Sequence, residues 1–209
     1  MPVSSRPWFR PTIPLMRSFR AAFTAGFVAC LESRRRTHDL LVELTTIDAL
    51  TGLKSRRQLD TDVGRWIDGA ERPTAMLMID VDRFTAFNDT HGHAAGDDVL
   101  RRVGDAIAAH VRSNDVPYRY GGEQFCVLLP GAGTDEAGIV AERVRRAIES
   151  IESPYGTNVT ASVGVASGPS TYLPTTAAHA DAALSQAKLD GRNRVAVGPG
   201  GAAVPATSD

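Results

Sequence analysis

The sequence predicts an α/β fold whose central sheet is largely antiparallel and flanked by helices. Three observations carry that reading. Strand-length apolar runs interleave with segments of helical period. Val116–Tyr120 and Phe125–Leu129 are separated by Gly121-Gly122, a hairpin signal because glycine readily supplies positive φ. The run Ala75-Met76-Leu77-Met78-Ile79 is unbroken and ends abruptly on Asp80, as a buried strand reaching the edge of the core does.

Length and composition bound the rest. At 209 residues, 43% hydrophobic and 22% charged, the chain suits one globular domain with a substantial core plus an extension. The net charge of −1 is uneven: residues 1–36 hold seven Arg and one Glu, a balance of +6 that leaves −7 for the remainder. A basic arm on an acidic domain suits either peripheral contact with an anionic membrane or a solvated leader, and nucleic acid is not an expected partner. Cys30 and Cys126 lack CxxC spacing, which points to a reducing, cytoplasmic compartment and against thiolate metal ligands. The apolar stretch Ala21–Leu31 has eleven residues, short of the roughly 20 needed to span a bilayer.

In order, residues 1–14 contain four prolines and should be irregular. Phe19, Phe23, Phe27 and Leu31 then form a helical stripe, suited to a partner helix or a membrane interface, and Leu40, Leu41, Leu44 and Ile47 continue the helical pattern. Residues 1–47 thus read as an extension, 48–198 as the domain and 199–209 as a disordered Gly/Ala/Pro-rich tail. Within the domain, Arg56–Trp66 is a helix and Thr74–Asp82 a strand. Phe84–Thr90 is a second helix, followed by a loop over His91–Gly96. Asp97 and Asp98 open a third helix, where acids oppose the dipole. After the hairpin, Thr134 caps a helix burying Val140, Ala141, Val144, Ala147 and Ile148. Asn158–Ala166 is a strand, Thr176–Leu189 a helix stopped by Gly191, and Arg194–Val197 the last strand. Asp80 at a strand end and Glu123 just past the hairpin turn make a candidate two-carboxylate cation site, since neighbouring strands lie about 4.8 Å apart. His91 and His93 flank a glycine with no third ligand and read as loop structure.

Gly121-Gly122-Glu123-Gln124-Phe125 resembles the signature of the GGDEF family, the diguanylate cyclases, with its fourth residue changed. Five further pieces match in order: Asp48-Ala-Leu-Thr-Gly-Leu53, Asp80-Val-Asp82, Phe87-Asn-Asp89, Gly92-His-Ala-Ala-Gly-Asp97 and Ala187-Lys188-Leu-Asp-Gly-Arg192-Asn193. The resemblance implies a nucleotidyl-cyclase-like, palm-like sheet and the condensation of two GTP into cyclic di-GMP. It implies Mg²⁺ (or Mn²⁺) held by Asp80, Glu123 and the carbonyl of Val81, with Gln124 at the remaining catalytic position. Asn88 and Asp97 would read guanine, and Lys188 and Arg192, four apart on the final helix, would hold the triphosphate, with Phe84 in the same substrate site. Arg112 and Asp115 match the RxxD inhibitory site for cyclic di-GMP, with Arg143 as its second arginine. Turnover of this kind requires a homodimer.

Four positions depart from the pattern. Gln124 replaces the usual Glu and cannot accept a proton or carry charge. Thr85 replaces a phosphate-binding Lys, and Ser55 and Ser185 replace Asn and Tyr. The competing reading is a catalytically degenerate domain that senses GTP or cyclic di-GMP.

Overall fold

The computed structural model describes residues 46–199. The aromatic stripe, the basic arm and the tail from residue 200 lie outside the described residues. The elements run β1 (Lys54–Ser55), α1 (Arg56–Ile67), β2 (Pro73–Val81), α2 (Phe84–His91), α3 (His93–Ala109), β3 (Val116–Gly121), β4 (Gln124–Pro130), α4 (Thr134–Glu149), β5 (Ala161–Pro169), α5 (Leu173–Leu189) and β6 (Val195–Val197). They build one six-stranded sheet in the order β1-β3-β4-β2-β5-β6. Strand β2 pairs antiparallel with β4 and β5, and β3 antiparallel with β4. Only the short edge strands β1 and β6 run parallel to their neighbours. The largely antiparallel sheet expected from the sequence is therefore present.

Strand β2 is apolar without alternation because both of its faces are covered. Ala75, Leu77, Ile79 and Val81 join Phe125, Val127 and Val163 in a core packed by α3 and α4. Met76 and Met78 join Tyr118, Cys126 and Leu128 under Leu59 of α1 and Leu184 of α5. Helix α5 lies unusually close to β5. A Cβ on Gly164 would sit 2.0 Å from the Ala180 carbonyl oxygen and 2.2 Å from the Leu184 nitrogen. This approach sets the height of α5 over the sheet, and so the place where its last turn delivers Lys188.

Several local expectations are corrected. Helix α3 begins at His93, not Asp97, because Gly92 at φ 82° already breaks the chain. Asp97 and Asp98 fall in its second turn, where Asp98 pairs with Arg102 at 2.8 Å instead of facing a helix end. Thr134 does not cap α4: Gly133 holds the cap position, and the Thr134 hydroxyl meets that of Ser167 at 2.6 Å. Strand β5 starts three residues later than expected and α5 three residues earlier, after a 3-10 turn over Ser170–Tyr172. Arg192 is not on α5, which ends at Leu189; it lies in the turn beyond. Among the described residues no helix is long and apolar enough to cross a membrane.

Candidate active site

Asp80 is the last but one residue of β2, opposite Gln124 of β4 and Ser162 of β5. It is 5% exposed. Ending a buried run on a carboxylate is costly unless that group is partnered. Here Gln124 Nε2 donates to Asp80 Oδ2 at 3.0 Å, and Lys188 Nζ lies 2.8 Å from the same oxygen. Oδ1 takes no bond.

Glu123 stands in the two-residue hairpin loop with Gly122, whose φ is 50°, and not after the turn. The Val81 N–H donates to the Glu123 carbonyl at 3.2 Å, fixing the hairpin tip beside the end of β2. The Glu123 carboxylate has no hydrogen-bond or ion-pair partner among the described residues. Asp80 and Glu123 thus share a neighbourhood through the backbone, while the side chain bonded to Asp80 is that of Gln124. This donor set fits one hard divalent cation: it offers a free Asp80 oxygen, an unpartnered carboxylate and nearby backbone carbonyls.

The tip is braced from behind by residues to which the sequence reading gave no role. Arg119 Nε and Nη2 donate to the Gly122 carbonyl at 3.2 and 2.9 Å, and Nη1 donates to Asp48 at 3.1 Å. Asp48 also accepts from the Thr51 amide and hydroxyl at 2.9 and 2.7 Å. Burial pushes the Asp48 carboxyl pKa up, but the bonds from Thr51 and Arg119 outweigh it and hold it below its usual value. The three-residue spacing of Asp48 and Thr51 was the available signal, since it suits a side-chain-capped turn.

Asp82 is saturated by the fold itself. Ser162 Oγ, Thr160 Oγ1 and the Asn193 N–H donate to it at 2.7, 2.8 and 3.0 Å. Asn193 in turn accepts from Arg145 Nη1 and donates to Glu149 Oε1, both at 2.6 Å. Arg145 is 9% exposed and also grips Glu142. The Arg145 hydrogen bond holds the Glu142 carboxyl down at about 2. Arg192 and Asn193 are left-handed, at φ 67° and 46°, a conformation that costs a non-glycine residue about 1–2 kcal/mol. The Arg192 guanidinium is exposed and free of partners among the described residues. It borders a cleft of about 410 Å³ that also receives Asp82, Arg83, Phe84 and Asn193.

Asn88 and Asp97 come from α2 and α3. Asn88 Oδ1 is buried without a hydrogen-bond partner. A Cβ on Gly96 would lie 1.9 Å from it and 3.1 Å from Phe84, so the glycine is what lets the two helices close. Asp97 is exposed and has no hydrogen-bond or ion-pair partner among the described residues. On the far side, Asp115 accepts the Arg112 N–H at 2.8 Å and closes the turn over 112–115. The Arg112 guanidinium pairs with Glu136, and Arg143 Nε donates to the His110 carbonyl at 2.8 Å. Arg143 also lines an open groove of about 950 Å³ with His110, Ile139, Arg146 and Val197.

Comparison with known proteins identifies the family. Residues 45–194 match the family described as diguanylate cyclase, GGDEF domain. The chain is 40% identical over 174 residues to the response regulator PleD of Caulobacter vibrioides, covering 77% of this chain and 38% of PleD. It is 37% identical over 179 residues to diguanylate cyclase A of Treponema denticola, covering 80% and 48%. The chain thus spans less than half the length of these two relatives. Among solved structures, the coiled coil and GGDEF domain of DgcB from Caulobacter crescentus, in complex with c-di-GMP, has a TM-score of 0.69 at 29% identity, covering 85% of this chain and 98% of that one. Diguanylate cyclase SiaD from Pseudomonas aeruginosa, in complex with its activator SiaC, has a TM-score of 0.67 at 34% identity, covering 87% and 73%. Family match, identity and fold agree: the chain belongs to the GGDEF domain family of diguanylate cyclases.

Proposed function

We propose that this domain binds GTP and condenses two molecules of it, slowly, into cyclic di-GMP and pyrophosphate. The observation that carries the reading is the orphaned Asn88 Oδ1, facing α3 where Asp97 is also unpaired. A buried acceptor left without a donor costs roughly 1–3 kcal/mol. Guanine offers N1–H and exocyclic N–H donors to the exposed Asp97 carboxylate and, once the Asn88 carboxamide turns out from against Gly96, to its Oδ1.

In the reaction the 3′-hydroxyl of each GTP attacks the α-phosphorus of the other. Two P–O bonds form, the two bonds to pyrophosphate break, and each hydroxyl proton passes to solvent. Asp80, Glu123 and the Val81 carbonyl would hold Mg²⁺ or Mn²⁺, which neutralises phosphate charge and acidifies the hydroxyl when bound. Lys188 is already at Asp80 and Arg192 is free at the cleft, so both can turn to phosphate oxygens, with Phe84 beside them. Gln124 spends its amide on Asp80 and cannot receive a proton, which makes turnover slow. Two domains must face one another, so the working species is a homodimer. Arg112, Asp115 and Arg143 would bind the product, after Arg112 leaves Glu136 and Arg143 leaves His110.

The Gln124–Asp80 bond also favours a second reading, a domain that binds guanine nucleotide without making product. Incubating the purified chain with GTP and Mg²⁺ or Mn²⁺ decides between them. Slow accumulation of cyclic di-GMP supports the cyclase. Tight GTP binding with no product leaves the GTP sensor, and no GTP binding removes the cyclase and leaves only a sensor of cyclic di-GMP.

A further inference from the structure

The turn after α5 holds Arg192 in an unusual way. Its N–H donates to the Ala187 carbonyl at 3.0 Å and its own carbonyl accepts from Arg194 Nε at 3.1 Å, while its guanidinium has no hydrogen-bond or ion-pair partner among the described residues. The next residue, Asn193, is bound at both ends: its backbone N–H to Asp82 at the end of β2, its carboxamide to Arg145 and Glu149 of α4. Among the described residues, Arg192 and Asn193 are the one adjacent pair of non-glycine residues with positive φ. A left-handed pair persists only where the surroundings over-determine it. The determinants here are the buried Arg145 and its carboxylate partner.

We propose that Asn193, clamped by Arg145 and Glu149, is a positioning residue that fixes the turn from which Arg192 offers its guanidinium to a nucleotide phosphate. The inference rests on the reading above, in which Arg192 binds the triphosphate of GTP. The clamp acts through backbone placement alone. Both side-chain polar atoms of Asn193 and its N–H are engaged inside the protein. The cleft bordered by Arg192 and Asn193 provides room for an anionic group beside the end of β2. A turn free to relax its positive φ would carry the guanidinium with it, and misplacement of a binding group by about 1 Å is enough to lose most of its contribution.

The test is a double-mutant cycle on the full chain, read by titration of a fluorescent GTP analogue with Mg²⁺. Asn193→Gly suits it because glycine keeps the left-handed backbone while deleting the clamp. The expected loss of affinity is roughly tenfold for Asn193→Gly, and smaller but in the same direction for the surface variant Glu149→Ala. In an Arg192→Ala background neither change should weaken binding further. Equal losses in both backgrounds mean that Asn193 supports the fold generally, and overturn the proposal. So does unchanged affinity in Asn193→Gly when Arg192→Ala alone is impaired, and that result leaves the GTP reading standing. Full affinity in Arg192→Ala removes the phosphate role of Arg192, and the positioning role with it. Should Asn193→Gly not fold, the Glu149→Ala cycle decides alone.

Discussion

Asp80 and Asp82 sit two residues apart, carry the same carboxylate, and live in opposite circumstances. Asp82 takes three donors from short, fixed groups: two hydroxyls of the β5 segment and one backbone N–H. Asp80 takes two donors from long side chains, both on one oxygen, and among the described residues its other oxygen has no partner. The first arrangement is a permanent joint between β2, β5 and the turn after α5. The second neutralises a buried charge with groups that can swing away when a ligand arrives. The difference teaches that one motif can contain an acid fixed by short groups and an acid held only by long side chains, told apart by the partners each accepts.

That comparison can be broken in four ways. The largest expected effect is on turnover: Asp80→Asn should lower cyclic di-GMP formation roughly a thousandfold, as expected when a charge at the reacting phosphates is removed, with the urea midpoint nearly unchanged. Asp82→Ala should do the reverse to stability. It strands a half-buried N–H, the half-buried Thr160 hydroxyl and the buried Ser162 hydroxyl, and should cost about 2 kcal/mol in urea denaturation. If Asp80→Asn proves the more destabilising change, the roles assigned to the two acids are reversed. Gln124→Glu replaces a donor to Asp80 with a second carboxylate and should raise turnover roughly tenfold under the cyclase reading. No response would place the defect elsewhere, with Thr85 the first position to restore to Lys.

The smallest effect concerns pH and the Asp82 side of the comparison. The Glu142 carboxyl is held at about 2 by the Arg145 bond, against 4.5 for the free group. Because its folded value is depressed, its contribution is complete above pH 4.5 and is lost as pH falls toward 2. Stability measured across that window should decline, and Glu142→Gln should flatten part of the decline. A profile of the same shape in both proteins would show that the Arg145 network carries no such linkage.

How much of this was legible in the sequence depends on the range of the forces involved. Strand β2 and the hairpin were readable because an apolar run ending on Asp80 and a Gly-Gly pair are local signals. Asp82 was not, because its partners Thr160, Ser162 and Asn193 are 78, 80 and 111 residues away and none has a distinctive local context. The left-handed state of Arg192 was invisible for the same reason: the distant Arg145, Glu149 and Asp82 impose the shape of the turn. Asp97 was misplaced relative to its helix because the rule that acids favour a helix start was outweighed by the break at Gly92. The role of Gly96 depends on Asn88 of the facing helix, which no single-helix pattern reveals.

The central claim is that Asp80 and Glu123 grip one divalent ion against the phosphates of a guanine nucleotide. It is tested most directly by titrating Mn²⁺ into the GTP-bound protein and counting tightly held ions by electron paramagnetic resonance. The account predicts a bound ion in the unaltered chain that is lost in both Asp80→Asn and Glu123→Gln while GTP itself still binds. Retention of that ion in Glu123→Gln would contradict it, since the two carboxylates would then not share a cation.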